Sequence, residues 1–253
     1  MEKNRFYTVM VVGKNPQELM EKYSMEKKVE PYIKYKYLDA KKLRDKTLAT
    51  YKDLISNFQK YGFNNDFLEV IKEKHKAIQS MSPFEYYTLI TYGMFYDEDG
   101  NAMSEENPDG KWLKYHIGQG FSYPLRLNDG TESYSALKSD IKWEDLHLNS
   151  ASVSLFRTVW RLVMEDESPT NDDEEKIKKT WSVRKNYLQN FKSEDAFVYH
   201  NCSYWNYAYL DENGWVDLDD SPSDIEWVST FYDRFVTKLK DDDLITIYEY
   251  MVE

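Results

Sequence analysis

The chain has 253 residues and a formal charge of −12, from 33 Lys/Arg against 45 Asp/Glu. That is length enough for one large domain or two small ones, with no need for a disulfide or metal to hold them together. Its single cysteine, Cys202, excludes an internal disulfide and a cysteine-paired metal knuckle. No stretch reaches the roughly 18 to 20 apolar residues of a membrane span, and the acidic balance argues against direct nucleic-acid binding.

Aromatic residues are unusually common, with 22 Tyr, 12 Phe and 7 Trp, so core and surface must be built on rings whose polar atoms need partners. Residues 1–7 are charged and the apolar run at 9–13 is too short for a leader, so no secretory signal is expected.

In chain order, residues 5–12 (RFYTVMVV) are β-branched and aromatic up to Gly13 and read as a buried strand. Asn15-Pro16 reads as a cap plus first helical residue, opening a helix to Tyr23. Residues 29–37 (VEPYIKYKY) alternate like a strand with one wet face, and Pro31 puts it at an edge. Asp39 is read as capping a long helix to Tyr61, with Leu43, Leu48, Tyr51, Leu54, Ile55 and Phe58 on one stripe and Gly62 as its stop. Further helices are expected over 65–79 and from Ser82-Pro83 to Gly93.

Beyond Phe95 three turn dipeptides, Asp99-Gly100, Asp109-Gly110 and Asp129-Gly130, bracket short strands at 112–117 and 123–127. Residues 140–147 suggest one or two helical turns, and 152–164 a buried helix. An acidic loop leads to a helix at 174–190 capped by Asp172 or Asp173. Strands are expected at 196–200 and 204–210 around Asn201-Cys202-Ser203. A hairpin at Asn213-Gly214 leads into 215–218, a helix runs from Ser223 to Leu239, and the last strand is LITIYEYMV at 244–252. The reading is an α+β fold: a mixed β-sheet containing the N- and C-terminal strands as central neighbours, a helical insert at about 39–93 and a hairpin-rich middle. No linker composition divides the chain, so a single α+β domain over 1–253 is expected.

Four histidines are available: His75, His116, His147 and His200. His200 and Cys202 share a face if their segment is a strand, yet a nucleophilic pair needs convergence in space and a free cysteine is usually a small buried apolar group. Ile117-Gly118-Gln119-Gly120-Phe121 lacks the third glycine and the following helix of a phosphate loop, so a tight turn accounts for it. Asp217, Asp219, Asp220 and Asp224 lie on one loop and read as a solvated edge rather than a metal site. No metal, no cofactor and no catalytic set is expected.

Charge divides the chain. Residues 1–80 hold 17 Lys/Arg against 11 Asp/Glu, residues 81–253 hold 16 against 34, and residues 194–233 hold ten acids with no Lys or Arg. Aromatic residues interleave with those acids, as Tyr and Trp do at interface anchors. The alternative is that the rings are core and only the acids are wet.

Several elements together resemble an uncharacterised family of proteins encoded by tailed bacteriophages of Gram-positive bacteria. They are Val11-Val12-Gly13, Asn107-Pro108-Asp109-Gly110-Lys111-Trp112, Asp140-Ile141-Lys142-Trp143, Trp227, Phe231-Tyr232-Asp233-Arg234-Phe235 and Leu244-Ile245-Thr246-Ile247. The resemblance implies a phage protein acting in the cytoplasm of an infected bacterium, and implies no activity.

Three functions are therefore expected. The first is an accessory phage protein that binds, and so inhibits, a host or defence protein with a basic surface, through Trp205, Asp211, Trp215, Asp217, Asp219, Asp220 and Trp227. The second is a small-ligand or nucleotide binder, or a hydrolase, with a pocket near His116, Trp143 and His147. The third is a structural or virion-associated role.

Overall fold

The computed structural model of the protein describes residues 5–61, 64–118, 120 and 122–252. In chain order the elements are β1 Arg5–Val12, α1 Pro16–Glu21, β2 Lys28–Tyr35, α2 Ala40–Ser56, α3 Asn65–Ser80 and α4 Pro83–Ile90. Short strands follow: β3 Phe95–Tyr96, β4 Ala102–Glu106, β5 Lys114–Ile117, β6 Leu125–Arg126, β7 Glu132–Ser133 and β8 Ser135–Leu137. Then come α5 Ser150–Val163, α6 Asp172–Ser182, α7 Lys185–Leu188, α8 Glu194–Cys202, β9 Ala208–Asp211, β10 Gly214–Asp217, α9 Asp224–Phe231 and β11 Leu244–Val252. They fall into two compact units, one formed by residues up to Lys27 with those from Pro108 onward, the other by Lys28–Asn107.

The first unit is built on a mixed sheet in the order β10-β9-β1-β11-β5, with β8 pairing further along the same edge of β11. The α+β reading holds, and the two terminal strands are interior neighbours: β1 runs antiparallel to β11, Val9 opposite Tyr248 and Val12 opposite Ile245, and parallel to β9. Because both are apolar on both faces, alternate residues enter two different cores. Met10, Val12, Ile245 and Ile247 share one core with Trp227 and Phe231 of α9. Val9, Val11, Tyr248 and Tyr250 share the other with Leu19 and Met20 of α1 and with Trp112, whose indole N–H donates to Met20 O at 3.0 Å. A third cluster, Val159, Trp160, Val163, Leu188 and Phe197, joins α5, α7 and α8.

Four local expectations change. Residues 196–200 belong to helix α8, not to a strand: Ser193 accepts the Ala196 N–H, and Glu194 and Asp195 lie in the first turn, where carboxylates favour the helix dipole. This overrides the β-forming preference of Phe197, Val198 and Tyr199. The helix at 174–190 is two, α6 and α7, and Asn171 rather than an aspartate caps the first by accepting from the N–H groups of Asp173 and Glu174. Asp39 makes no side-chain cap, because residues 37–39 form a 3-10 turn leading into α2. The helix opened by Ser223 is α-helical only to Phe231 and continues as a wider π turn over 232–236. The expected stop at Gly62 lies outside the described residues.

The second unit packs α2, α3 and α4 with a small sheet in the order β2-β4-β3, which leaves Pro31 on an edge strand. The expected α2 stripe is only half buried. Tyr87 organises this unit: its hydroxyl accepts from Ala102 N at 2.8 Å and lies 3.0 Å from both Tyr35 O and Gly100 O. Ser82 and Glu85 close a reciprocal cap on α4.

Candidate functional site

The acidic aromatic set does not form one exposed surface. Trp227 is fully buried and its indole N–H donates to Asn206 O at 2.8 Å, so it belongs to the core rather than to a contact face. Asp217, only 6% exposed, accepts from Lys111 Nζ at 3.1 Å and Trp215 Nε1 at 2.9 Å, so it is paired rather than solvated. Trp215 packs against Tyr23 and Tyr250 at ring separations of 5.4 and 5.2 Å. Asp211 shapes its own turn, accepting from Asn213 N at 2.7 Å and Tyr209 Oη at 3.1 Å. Trp205, Asp219 and Asp220 are exposed.

The second expected set also separates. Trp143 meets Tyr204 and Tyr232 edge-on, and His147 stacks flat on Tyr232 at 3.7 Å. His147 Nδ1 accepts the Tyr204 N–H at 3.1 Å, which requires a neutral imidazole. Burial holds its pKa below the usual histidine value, opposed by the Asp233 carboxylate. His116 sits on β5 opposite Glu249 of β11, with Nε2 3.3 Å from Glu249 Oε2.

None of those three residues lines a cleft of the first unit that opens beside them in the chain, at residues 122–152 and 201–206. It has a volume of about 660 Å³ and is walled by seven stretches of chain. These are Thr8 of β1, Ser122–Pro124, Arg126 and Glu132 of the β6–β7 hairpin, Asp145-Leu146, Asn149 and Ser152 at the start of α5, Asn201-Cys202 at the end of α8, and residues 203–206.

Beneath the cleft lies Glu249, a carboxylate only 1% exposed on a central strand. Its Oε1 accepts from both the backbone N–H and the hydroxyl of Ser122, at 2.6 and 2.7 Å. Buried carboxylates need such donors. Ser122 donates to the carboxylate directly and His116 stands on its other oxygen, so the three are not ordered as a serine–imidazole–acid relay.

The wall at 201–206 carries the other notable groups. Ser203 Oγ is buried with no hydrogen-bond partner, at a cost of about 1–3 kcal/mol. Beside it Trp205 is 40% exposed, and across the cleft Tyr123 is 86% exposed. Burial pushes the Cys202 thiol up to about 11, leaving it protonated and unreactive near neutrality. On α8, His200 and Cys202 are two residues, hence about 200°, apart around the helix, so the strand-face pairing does not occur. Burial lowers the His200 pKa, with Asp224 opposing.

In the glycine segment, Gln119 and Phe121 lie outside the described residues. Gly118 packs against the Tyr134 ring so closely that no Cβ fits, and Gly120 has φ +100°. The tight turn expected there runs through Gln119 and Phe121 and so lies outside the described residues. Among the described residues no group of three or more His, Cys, Asp or Glu could hold a metal ion, and no helix is long and apolar enough to cross a membrane.

Sequence reasoning missed Ser122, Tyr123, Ser203 and Glu249. Only Glu249 had a local signal, as the one charge inside an otherwise buried strand pattern. Comparisons with protein-family models, with curated proteins and with solved structures find no match.

Proposed function

We propose that the protein acts by binding, with the 660 Å³ cleft receiving a small polar ligand. The observation that carries this reading is the wall at 203–205, where the unpartnered, buried Ser203 hydroxyl stands beside the exposed Trp205 indole. The volume is that of ordinary ligand pockets, and a few placed polar groups among rings is their usual construction. Binding rather than reaction is favoured because the thiol is protonated and the Ser122 hydroxyl is engaged by the Glu249 carboxylate rather than by an imidazole.

The test is a saturation-transfer NMR screen of small sugars, nucleosides, amino acids and short peptides against the full chain and against Ser152→Phe, which fills the cleft from α5. Ligands that receive magnetisation from the parent and not from the filled variant support the reading. No such difference across the panel removes it.

A second reading follows from charge. Ten acids and no Lys or Arg lie between Glu194 and Asp233, with Asp219 and Asp220 exposed. In a phage accessory protein, as the resemblance implies, the exposed acids Asp219 and Asp220 would engage a basic host or defence protein by steered association. Such binding weakens steeply with salt and slows in Asp219→Asn/Asp220→Asn. Salt-independent binding unaffected by that variant removes it.

A further inference from the structure

The groups around the cleft narrow the class of ligand, on the premise that the cleft binds one. Its charges are matched internally. Arg126 Nε lies 3.9 Å from Glu132 Oε1, and Asp145 pairs with Lys142 at 3.1 Å, so the lining carries charges of both signs rather than a field of one sign. Two of the three lining asparagines are committed too. Asn149 Oδ1 accepts from Ala151 N and Ser152 N, filling the start of α5 where a phosphate would otherwise sit. Asn201 donates to Phe197 O at 2.7 Å and accepts from Tyr187 Oη.

Hydroxyls and ring faces remain. Among the described residues the buried Ser203 hydroxyl has no hydrogen-bond partner, Ser152 and Tyr123 add hydroxyls to the lining, and Trp205 and Tyr123 present exposed rings. Hydroxyls both donate and accept, so they complement a ligand whose own groups do the same. A peptide's fixed donors and acceptors call for amides, and those of Asn149 and Asn201 are committed here.

We propose that the cleft takes an uncharged sugar ring, carried by a glycoside or a nucleoside, with its C–H face on the Trp205 indole and its hydroxyls on the serine hydroxyls of the wall. An aromatic platform under a ring of mixed polarity uses the apolar body and polar tip of the indole together.

The experiment is isothermal titration of the full chain with glucose, galactose, N-acetylglucosamine, their methyl glycosides, ribose, adenosine and uridine. Inorganic phosphate, arginine, glutamate and a blocked alanine amide serve as contrasts. One sugar or nucleoside series is expected to saturate, with affinity reduced about tenfold or more in Trp205→Ala and less in Trp205→Phe, which keeps a ring face but loses the indole N–H. Ser203→Ala is expected to weaken the same ligand while the free protein melts as before or higher. A nucleoside binding more tightly than ribose assigns the nucleoside source, and a glycoside binding without nucleoside response assigns the other. Binding of phosphate, arginine, glutamate or the blocked amide with the same Trp205 dependence overturns the sugar class and leaves the binding reading standing. No saturation by any sugar or nucleoside up to about 10 mM, a free energy weaker than about −3 kcal/mol, overturns the inference whatever the broader screen finds.

Discussion

Glu249→Gln is the perturbation whose cost follows most directly from the geometry. The carboxylate is 1% exposed and receives two short hydrogen bonds from Ser122, at 2.6 and 2.7 Å, with His116 Nε2 at 3.3 Å from the other oxygen. Bonds to a buried charge contribute about 1.5–3 kcal/mol each. Glutamine can keep its amide oxygen on both Ser122 donors, but it loses the charge that strengthens those bonds and turns an amide NH2 toward His116, so the loss is about 2–4 kcal/mol. In a chain of this length each kcal/mol moves the melting temperature by about 2–4 °C, which places the variant about 4–16 °C below the parent. Ser122→Ala removes one of the two serine donors and leaves the backbone N–H, so about 1–2 kcal/mol is expected. Exposed Glu226→Gln serves as the control, within about 0.5 kcal/mol. Thermal unfolding by circular dichroism, checked by urea titration at constant m-value, reads all three. A Glu249→Gln protein melting within about 1 °C of the parent would refute the anchoring role of the carboxylate.

Acid sensitivity follows from the buried imidazoles. His147 and His200 have depressed folded values while the unfolded side chains titrate near 6.5, so the unfolded state binds more protons in between, and stability is lost as pH falls from about 6.5 towards those depressed values. His147→Gln is expected to flatten part of that slope, and an unchanged slope contradicts it. The lowered carboxylates, such as Asp97 and Glu174, contribute only at more acid pH. Cys202 is expected to resist iodoacetamide at neutral pH until the protein is unfolded, and rapid labelling of the native chain contradicts a buried, protonated thiol. Trp227→Ala is expected to cost about 3–5 kcal/mol and Asp219→Asn/Asp220→Asn under about 1 kcal/mol together; equal costs would contradict the division into core and surface.

The terminal strands were legible because RFYTVMVV and LITIYEYMV are apolar on both faces, which only an interior strand satisfies. The same run carried a signal that went unread: Glu249 alternates with Ile245 and Ile247, so it must point into the same core and must find donors there. At 196–200 composition favoured a strand, and the deciding residues stood just outside it, in Ser193 and the two acids after it. Trp205 and Trp227 look alike in sequence, yet one is half exposed and the other fully buried. Trp227 lies on the side of α9 that packs into the core, whereas Trp205 lies between α8 and β9 in the cleft wall, and local composition does not encode that. The cleft was invisible for the same reason. Its walls run from Thr8 to Asn206, and only long-range pairing, such as that of β1 with β9 and β11, brings them together.

Indole N–H resonances test the binding site most directly. Among the seven tryptophans of the chain, Trp205 is assigned by Trp205→Phe, and a ligand from the screen is then titrated into the ¹⁵N-labelled protein. The expected result is a saturable shift of the Trp205 signal, with those of Trp160 and Trp181, in the α5–α8 cluster away from the cleft lining, left in place. A ligand that saturates while moving Trp160, Trp181 or Trp215 and leaving Trp205 unmoved would contradict the cleft as the functional site.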